Sequence, residues 1–332
     1  MGENAIGGLT SDGPGAGIER EYDLLVVDVS RRGLRARRTG AEPEARIDPP
    51  KSVKTSQVAV EIDGLLDAIA PLVEAVAHPP DQVVVSLAEA ARVLDPAELR
   101  AKLAVLTNAP VTVCDGLVVT LFGALGYVGA GTVLQLGAGV VGLATDLQRV
   151  WHRIDGWGPV LGDRGSGSWI GAQGLAAGLR ARDGVPGGSD DLLLAGRHAF
   201  GDELHWPEML VENRAADVLA DFAPVVGELA MRGDEVALAI ITLGGEHLAD
   251  ALAAGRAVVP GEPLAATGEL LLIDAVKVSL AAAMGKRLTF LTPAMGDSLR
   301  GALALAHHLA SGGELPHRPP FVYTAGQASI TA

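Results

Sequence analysis

The chain has 332 residues, of which 48% are apolar, and a formal net charge of −14. That length accommodates two domains of about 150 residues each, with ample material for buried cores. An acidic surface repels phosphates, so nucleic acid and anionic membranes are excluded as general partners, while a nucleotide in a shaped pocket is not. The single cysteine, Cys114, excludes an intrachain disulfide and fits a reducing, cytoplasmic compartment.

The N-terminal end combines an irregular leader with a predicted hairpin. Residues 1–21 lack an apolar core flanked by basic residues, so we predict a disordered leader rather than a secretory signal. The apolar run at 23–29 is typical of a central strand, and 34–38 of a strand returning after a turn. Five arginines occupy this hairpin, at positions 31, 32, 35, 37 and 38. This pattern is typical of a solvated hairpin with arginine side chains facing outward. The alternative interpretation is that the arginine side chains bind phosphate.

Strands and helices alternate from there to the middle of the chain. Helical spacing of apolar residues predicts a helix at 58–76. Asp95 and Pro96 are typical of an N-cap and a first helical residue, and predict a helix through Leu106. Buried strands are predicted at 82–87 and 111–114, and a helix at 116–125.

An uncharged run of thirty residues, 116–145, is long enough to span a bilayer. It contains eight glycines, and its flanks, Asp115 and Asp146, are acidic. A membrane helix usually has Lys or Arg at its cytoplasmic end. We therefore predict a buried helix followed by buried strands in a soluble protein.

The second half begins with strands and is mostly helical afterwards. Strands are predicted at 131–136, 140–144, 149–154, 264–266 and 287–290, and helices at 168–182, 190–200, 207–232, 235–254 and 297–309. This order indicates two α/β domains in tandem.

The clearest local motif is the segment 155–171, DGWGPVLGDRGSGSWIG, with six glycines and one proline in seventeen residues. Such a composition excludes a regular element and requires a special backbone shape. The loop would deliver Asp163 and Ser166 to a helix N-terminus that favours anions, and a carboxylate there can accept hydrogen bonds from two sugar hydroxyl groups. The alternative is an ordinary turn with a capping serine.

This segment resembles the Gly-Trp-Gly…Gly-Asp-Glu-Gly-Ser…Trp-Ile-Gly signature of the N-acetylglucosamine kinase and BadF/BadG/BcrA/BcrD-type ATPase family. Further segments resemble that family in the expected order: Asp28 after the first strand, Asp115 at a strand end, and 136–139, 267–270 and 301–306. The resemblance implies an α/β fold of two ribonuclease-H-like (actin-like ATPase) domains, with ATP and a sugar in the interdomain cleft.

The resemblance also implies domain boundaries. The first domain would span 22–116 and be completed by a C-terminal helix near 297–310. The second would span 117–296, and 311–332 would form a tail.

Roles for individual residues follow from the same resemblance. Asp115 would be the general base toward the attacking sugar hydroxyl. Asp163, with Gly162 and Ser166, would bind the sugar, and Asp28 would hold Mg²⁺. ATP would be contacted by Asp28, Ser30 and Arg31 of the first phosphate loop, by Gly137, Ala138 and Gly139 of the second, and by Gly268 beside the adenine.

The phosphate loops depart from the family pattern. The family's first loop is Asp-Gly-Gly-Gly-Thr, whereas 28–32 reads Asp-Val-Ser-Arg-Arg; Ala138 replaces a hydroxyl residue and Glu269 a glycine. Two hypotheses follow. One is ATP-dependent phosphorylation of N-acetylglucosamine, glucosamine or a related sugar; the other is a catalytically impaired relative with a regulatory or binding role. Both leave a homodimer open.

A third hypothesis rests on 137–142, GAGVVG, which fits the dinucleotide fingerprint G-x-G-x-x-G after a strand. Its confirming context is a helix and then a strand ending in an acidic residue about twenty positions on. The alternation at 149–154 predicts a strand instead of that context. An NAD(P)-dependent enzyme is therefore the least favoured of the three.

Overall fold

The computed structural model describes residues 22–30, 33–39, 46–47, 62–74, 78–88, 95–212, 215–287 and 289–324. The predicted leader, Arg31 and Arg32 lie outside the described residues. Within them the strands are β1 (Leu24–Ser30), β2 (Gly33–Arg38), β3 (Arg46–Ile47), β4 (Gln82–Leu87), β5 (Val111–Asp115), β6 (Gly131–Leu136), β7 (Val140–Thr145), β8 (Trp151–Asp155), β9 (Leu264–Thr267) and β10 (Val322–Tyr323). The α-helices are α1 (Ile62–Glu74), α2 (Pro96–Thr107), α3 (Gly116–Leu125), α4 (Gly167–Arg182), α5 (Asp190–Phe200), α6 (Trp206–Glu212), α7 (Ala215–Arg232), α8 (Glu235–Val258), α9 (Asp274–Lys286) and α10 (Ser298–Ala310).

The first domain is built on a six-stranded sheet in the order β10-β5-β4-β1-β2-β3. β1, β4 and β5 are parallel, whereas β2 is antiparallel to β1. Because side chains alternate along a strand, Leu25 and Val27 join the core cluster that includes Leu65 of α1, and Val26 joins the cluster on the other face. The register aligns Asp28, Ser86 and Cys114 in one row across β1, β4 and β5.

The C-terminal part of the chain returns to this first sheet. α10 packs on β1 and β4, and β10 is antiparallel to β5, with Val322 opposite Cys114. The segment predicted as a tail therefore contributes an edge strand. A strand of two residues is too short to give a recognisable sequence pattern.

The second domain has a four-stranded sheet in the order β8-β7-β6-β9. β6, β7 and β8 are antiparallel neighbours, and β9 is parallel to β6. Gly142, the last glycine of the dinucleotide-like motif, lies within β7 opposite Leu134. A hairpin stands where that motif needs a helix, so the NAD(P) hypothesis is wrong.

The uncharged run 116–145 forms α3 and then the β6–β7 hairpin, which confirms the prediction of a buried helix followed by buried strands. Among the described helices, α8 alone is long and apolar enough to cross a membrane, with 44% of its apolar window buried. It packs on β6, β7 and β8 and between α7 and α9. A core helix meets the same length and hydropathy criteria, so this is weak evidence for a span.

Two predicted elements of the second domain differ from the structure. The strand predicted at 287–290 is wrong, because Arg287 is the C-cap of α9 and residues 289–290 lie outside any strand, while residue 288 is outside the described residues. The single helix predicted at 207–232 is described as α6 and α7, with residues 213–214 between them outside the described part.

α3 connects the two domains and fixes their orientation. Its buried side chains share one core cluster with Val26 of β1 and with Val133 and Leu143 of the second sheet. Its last turn lies at the start of β6, where a Cβ atom built on Gly131 would stand 3.2 Å from Leu121 Cδ1 and 3.3 Å from Leu125 Cδ1. Only five residues separate Leu125 from Gly131, so the carboxyl end of α3 lies beside the start of β6.

Candidate functional site

The predicted site residues form two clusters, one at the carboxyl ends of the first sheet and one at the β6–β7 turn. In the first cluster Asp28 lies within β1, two residues before its end, and is 5% exposed. Its Oδ1 accepts a hydrogen bond from Ser86 Oγ at 2.6 Å, and its Oδ2 accepts one from Ser298 Oγ at 2.7 Å. Arg35, its partner across the β1–β2 pairing, also donates to Oδ2 at 2.8 Å.

Asp115 ends β5 and is the N-cap of α3. Its Oδ1 accepts a hydrogen bond from the Leu117 N–H at 2.9 Å, and the residue is 5% exposed. The neighbouring thiol of Cys114 is fully buried, and burial, followed by the charges of Asp115 and Asp28, raises its pKa. The cap places a carboxylate at a helix start, where the helix dipole favours negative charge.

The second cluster surrounds the turn at 137–139, named here the glycine turn. The Gly137 N–H donates to the Gly139 carbonyl at 2.9 Å, and so it faces inward rather than toward a phosphate. Among the described residues, no acceptor receives a hydrogen bond from the N–H of Ala138 or of Gly139. The N–H groups of these two half-buried residues, Ala138 and Gly139, are therefore the ones in this turn that are available to an anion.

Asp163 is packed against the glycine turn. Its Oδ1 accepts a hydrogen bond from the Val140 N–H at 3.1 Å, and a Cβ atom on Gly139 would stand 2.9 Å from its Oδ2. The residue adopts φ = 54°, a left-handed conformation that Asp and Asn tolerate better than most residues. Its own N–H donates to Asp155 Oδ1 at 3.0 Å, which closes the glycine-rich loop back on the end of β8.

Gly162 and Ser166 frame this carboxylate. A Cβ atom on Gly162 would stand 2.2 Å from Asp155 Oδ1, so a side chain there would break the loop closure. Ser166 is 0% exposed and caps α4, accepting a hydrogen bond from the Trp169 N–H at 3.1 Å. Contact of either residue with a sugar stays a prediction.

The start of α4 is not an open anion site, contrary to the sequence-based expectation. The Gly167 N–H donates to the Gly137 carbonyl at 2.9 Å, and the Ser168 N–H donates to the Ala138 carbonyl at 3.1 Å. With the Trp169 N–H bonded to Ser166, the first turn is already satisfied. These bonds instead hold the glycine turn in place.

Gly268 borders the other side of the glycine turn. It adopts φ = 117°, and a Cβ atom there would stand 2.1 Å from the Leu136 carbonyl oxygen. Glycine is therefore required by the backbone, whether or not a nucleotide lies beside it. The carboxylate of Glu269 approaches Gly137, with Oε1 about 3.3 Å from a Cβ built there.

One helix and the strand that follows it join the two clusters. α3 begins at Asp115 in the first cluster, and β6 ends at Leu136 beside the glycine turn. This helix and this strand are packed neighbours. Whether Asp115 and Asp163 approach closely enough to hold one sugar stays a prediction.

The arrangement does not fit direct ligation of Mg²⁺ by Asp28. Both carboxylate oxygens already accept hydrogen bonds, and the positive Arg35 guanidinium lies on the more open side. The described residues contain no group of three or more His, Cys, Asp or Glu side chains that could hold a metal ion. Ser30 ends β1 opposite Gly33, and Arg31 lies outside the described residues.

Sequence reasoning missed four residues of the first cluster: Arg35, Ser86, Asp297 and Ser298. Arg35 could have been found from the predicted hairpin. If the turn is tight, Arg35 pairs with Asp28, and paired residues of antiparallel strands have their side chains on the same face of the sheet. Asp297 and Ser298 lie about 270 residues from Asp28 along the chain, and only the resemblance placed a helix near them.

Comparison with known proteins identifies the class. The sequence matches the BadF/BadG/BcrA/BcrD ATPase family over residues 61–299, and the chain belongs to that family. A search of curated proteins found no significant match.

Solved structures share its two-domain fold, that of actin-like ATPases and sugar kinases. A protein from Chromobacterium violaceum provisionally named N-acetylglucosamine kinase is 24% identical with a TM-score of 0.61, covering 86% of this chain and 99% of its own. Its counterpart of the same provisional name from Porphyromonas gingivalis is 18% identical with a TM-score of 0.62 and the same coverage. A ROK family glucokinase from Streptomyces griseus, in complex with glucose and AMPPNP, is 14% identical with a TM-score of 0.54, covering 86% of this chain and 99% of its own. At identities below 25%, this structural likeness shows the fold alone.

Proposed function

We propose that this chain phosphorylates a hydroxyl group of an amino sugar such as N-acetylglucosamine or glucosamine, using ATP in the cytoplasm. The observation that carries the proposal is the glycine turn, where the N–H groups of Ala138 and Gly139 lack an acceptor among the described residues beside the Asp163 carboxylate. Donors for a phosphate and an acceptor for a sugar hydroxyl are thus adjacent. Family membership and the provisional names of two structural neighbours support the same activity.

Each proposed role follows from the chemistry of the group. Asp115 takes the proton of the attacking hydroxyl, as a positioned carboxylate can. Asp163 accepts hydrogen bonds from sugar hydroxyls. The N–H groups of Ala138 and Gly139 bind phosphate oxygens, and Gly268 leaves backbone room for the adenosine. ATP supplies the phosphoryl group and brings its own magnesium ion.

A catalytically impaired relative is the second candidate, and the first phosphate loop favours it. Asp28 is neutralised by Arg35, and Val29 and Ser30 carry side chains where the family keeps glycine. Glu269 adds a negative charge near Gly137, which opposes a triphosphate. Such a protein would bind sugar and show no turnover.

Calorimetric titration separates the two candidates. N-acetylglucosamine, glucosamine and glucose are each titrated into the protein with and without ATP and magnesium, and ADP formation is measured in parallel. The kinase predicts ATP binding, sugar binding and sugar-dependent ADP formation. Sugar binding without ATP binding selects the impaired relative, and the absence of both overturns the proposal.

A matched pair of variants tests the sugar site. Asp163→Asn keeps an acceptor for the Val140 N–H and tolerates the left-handed backbone, so the fold is retained while sugar affinity falls about tenfold or more. Asp146→Asn is the control, because Asp146 likewise accepts backbone N–H groups but in the β7–β8 turn at the other end of β7. Equal sugar affinity in both variants would contradict the role of Asp163.

A further inference from the structure

Arg35 joins two carboxylates of the first cluster into one network. Its Nη2 lies 2.8 Å from Asp28 Oδ2 and 2.9 Å from Ser298 Oγ, and its Nη1 lies 2.5 Å from Asp297 Oδ2. Ser298 Oγ in turn donates to Asp28 Oδ2 at 2.7 Å. The guanidinium thus contacts both carboxylates and the hydroxyl group between them.

The three charged groups differ in exposure. The Asp28 side chain is 7% exposed, that of Arg35 is 35% exposed and that of Asp297 is 53% exposed. Asp297 is also the N-cap of α10, with its Oδ1 accepting the Arg300 N–H at 3.1 Å. Arg35 therefore lies on the solvent side of a buried carboxylate, which is the direction from which a cation would have to approach.

Charge balance within this network depends on Arg35. With it, two carboxylates and one guanidinium carry a net charge of −1. Without it, the two carboxylates that now share one guanidinium would lose that cation, and such oxygen donors are those that Mg²⁺ and Mn²⁺ prefer. A divalent cation added to the intact network would instead meet a like charge at short range.

We propose that Arg35 takes the place of a divalent cation in this cleft, so that the protein binds no metal ion at Asp28 and acquires a metal site there when Arg35 is removed. Arg35 is then a positioning residue: it holds β1, β2 and the start of α10 together through Asp28, Ser298 and Asp297. The inference concerns the same cleft as the proposed function but requires neither sugar nor turnover.

Electron paramagnetic resonance of free Mn²⁺ tests the proposal on the full chain without nucleotide. Wild type is expected to bind no Mn²⁺ that depends on Asp28, so Asp28→Asn leaves its titration unchanged. Arg35→Met replaces the charged side chain with an uncharged apolar one. This variant is expected to bind one Mn²⁺ at least about tenfold more tightly than wild type. Adding Asp28→Asn to Arg35→Met is expected to abolish that site.

Arg37→Met is the matched control, because Arg37 is an exposed arginine on the same strand and its removal is expected to leave Mn²⁺ binding as in wild type. If Arg35→Met does not fold, the Mn²⁺ titrations of wild type and Asp28→Asn still test whether the protein binds a metal ion at Asp28. Tight Mn²⁺ binding by wild type that is lost in Asp28→Asn overturns the proposal, as does a folded Arg35→Met that binds no more Mn²⁺ than wild type. Neither result depends on whether the protein is a kinase.

Discussion

Gly301 of α10 lies directly against Val119 of α3: a Cβ atom built on Gly301 would stand 1.8 Å from the Val119 carbonyl oxygen. Gly123 is equally constrained, since its Cβ would stand 2.0 Å from the Asp297 carbonyl oxygen. The two helices therefore cross backbone to backbone. One carries Asp115 at its start and the other carries Ser298, which binds Asp28. Their crossing sets the geometry of the first cluster.

Gly301→Ala is expected to lower the free energy of unfolding by about 1–3 kcal/mol, because the added methyl group forces the helices apart. Urea denaturation measures the change. Gly64→Ala is the control, since a Cβ on Gly64 in α1 meets nothing within 4 Å, and alanine improves helix propensity by up to about 1 kcal/mol. Equal stability of the two variants would contradict the close crossing.

Asp115→Asn is expected to lower kcat by about 10²–10⁴-fold, the contribution of a general base, with little change in the KM for sugar. Asparagine can still accept the Leu117 N–H, so the cap of α3 survives. Steady-state kinetics with an active sugar measures the effect. Asp95→Asn changes the equivalent cap of α2, outside both clusters, and should retain full activity. Turnover like that of wild type in Asp115→Asn would exclude it as the base.

Glu203 provides a test by pH. The hydrogen bond from Arg197, together with a backbone N–H and the charges of Arg197 and Arg182, lowers its pKa to about 2. A lowered folded-state pKa stabilises the protein above the unfolded-state value, and that contribution is lost as pH falls. Glu203→Gln should therefore lower Tm at pH 7, and its deficit should shrink between about pH 4.3 and pH 2.

Thermal unfolding of both proteins from pH 7 to pH 2.5 follows that deficit. Glu228→Gln is the control, because the Glu228–Arg232 pair is exposed at both side chains and surface pairs contribute little. A deficit in Glu203→Gln that stays constant down to pH 2.5 would show that the ion pair is not its cause.

Cys114 should be unreactive in the folded protein. The thiol is fully buried, and burial with the nearby carboxylates raises its pKa, so thiolate is scarce at neutral pH. As the chain has one cysteine, a chromogenic thiol reagent should label about none at pH 8 natively and one in denaturant. Ser311→Cys, at an exposed position, should label at once. Rapid native labelling of wild type would contradict the buried row of β1, β4 and β5.

Elements with strong local signals were predictable from sequence. The predicted bounds of β4, α3 and β6 match the structure, because the apolar runs are bounded by residues with clear roles, such as the cap Asp115 and the left-handed Gly126. The two-residue β10 was missed because its only support is pairing with β5. α9 was missed because small residues and valines give it a weak helical pattern.

The candidate site was predictable in part, for a similar reason. Asp163 and the glycine turn lie in motifs that the family resemblance identifies. The hydrogen-bond partners of Asp28 come from β2, β4 and α10. Their convergence depends on the register of the sheet and on a helix about 270 residues away along the chain. The satisfied start of α4 was not predictable either, because its acceptors are carbonyl groups of the distant glycine turn.

The return of α10 and β10 to the first sheet has a consequence for synthesis on the ribosome. β1, β4 and β5 emerge before the second domain, whereas the helix that covers Leu24 and Val26 and the strand that pairs with the edge of β5 emerge after it. The strands and helices of the second domain are synthesised before α10 and β10, so the second domain can fold first. The first domain therefore closes only after the second domain has been synthesised, and until then its apolar face and open strand edge are the surfaces that a chaperone would shield.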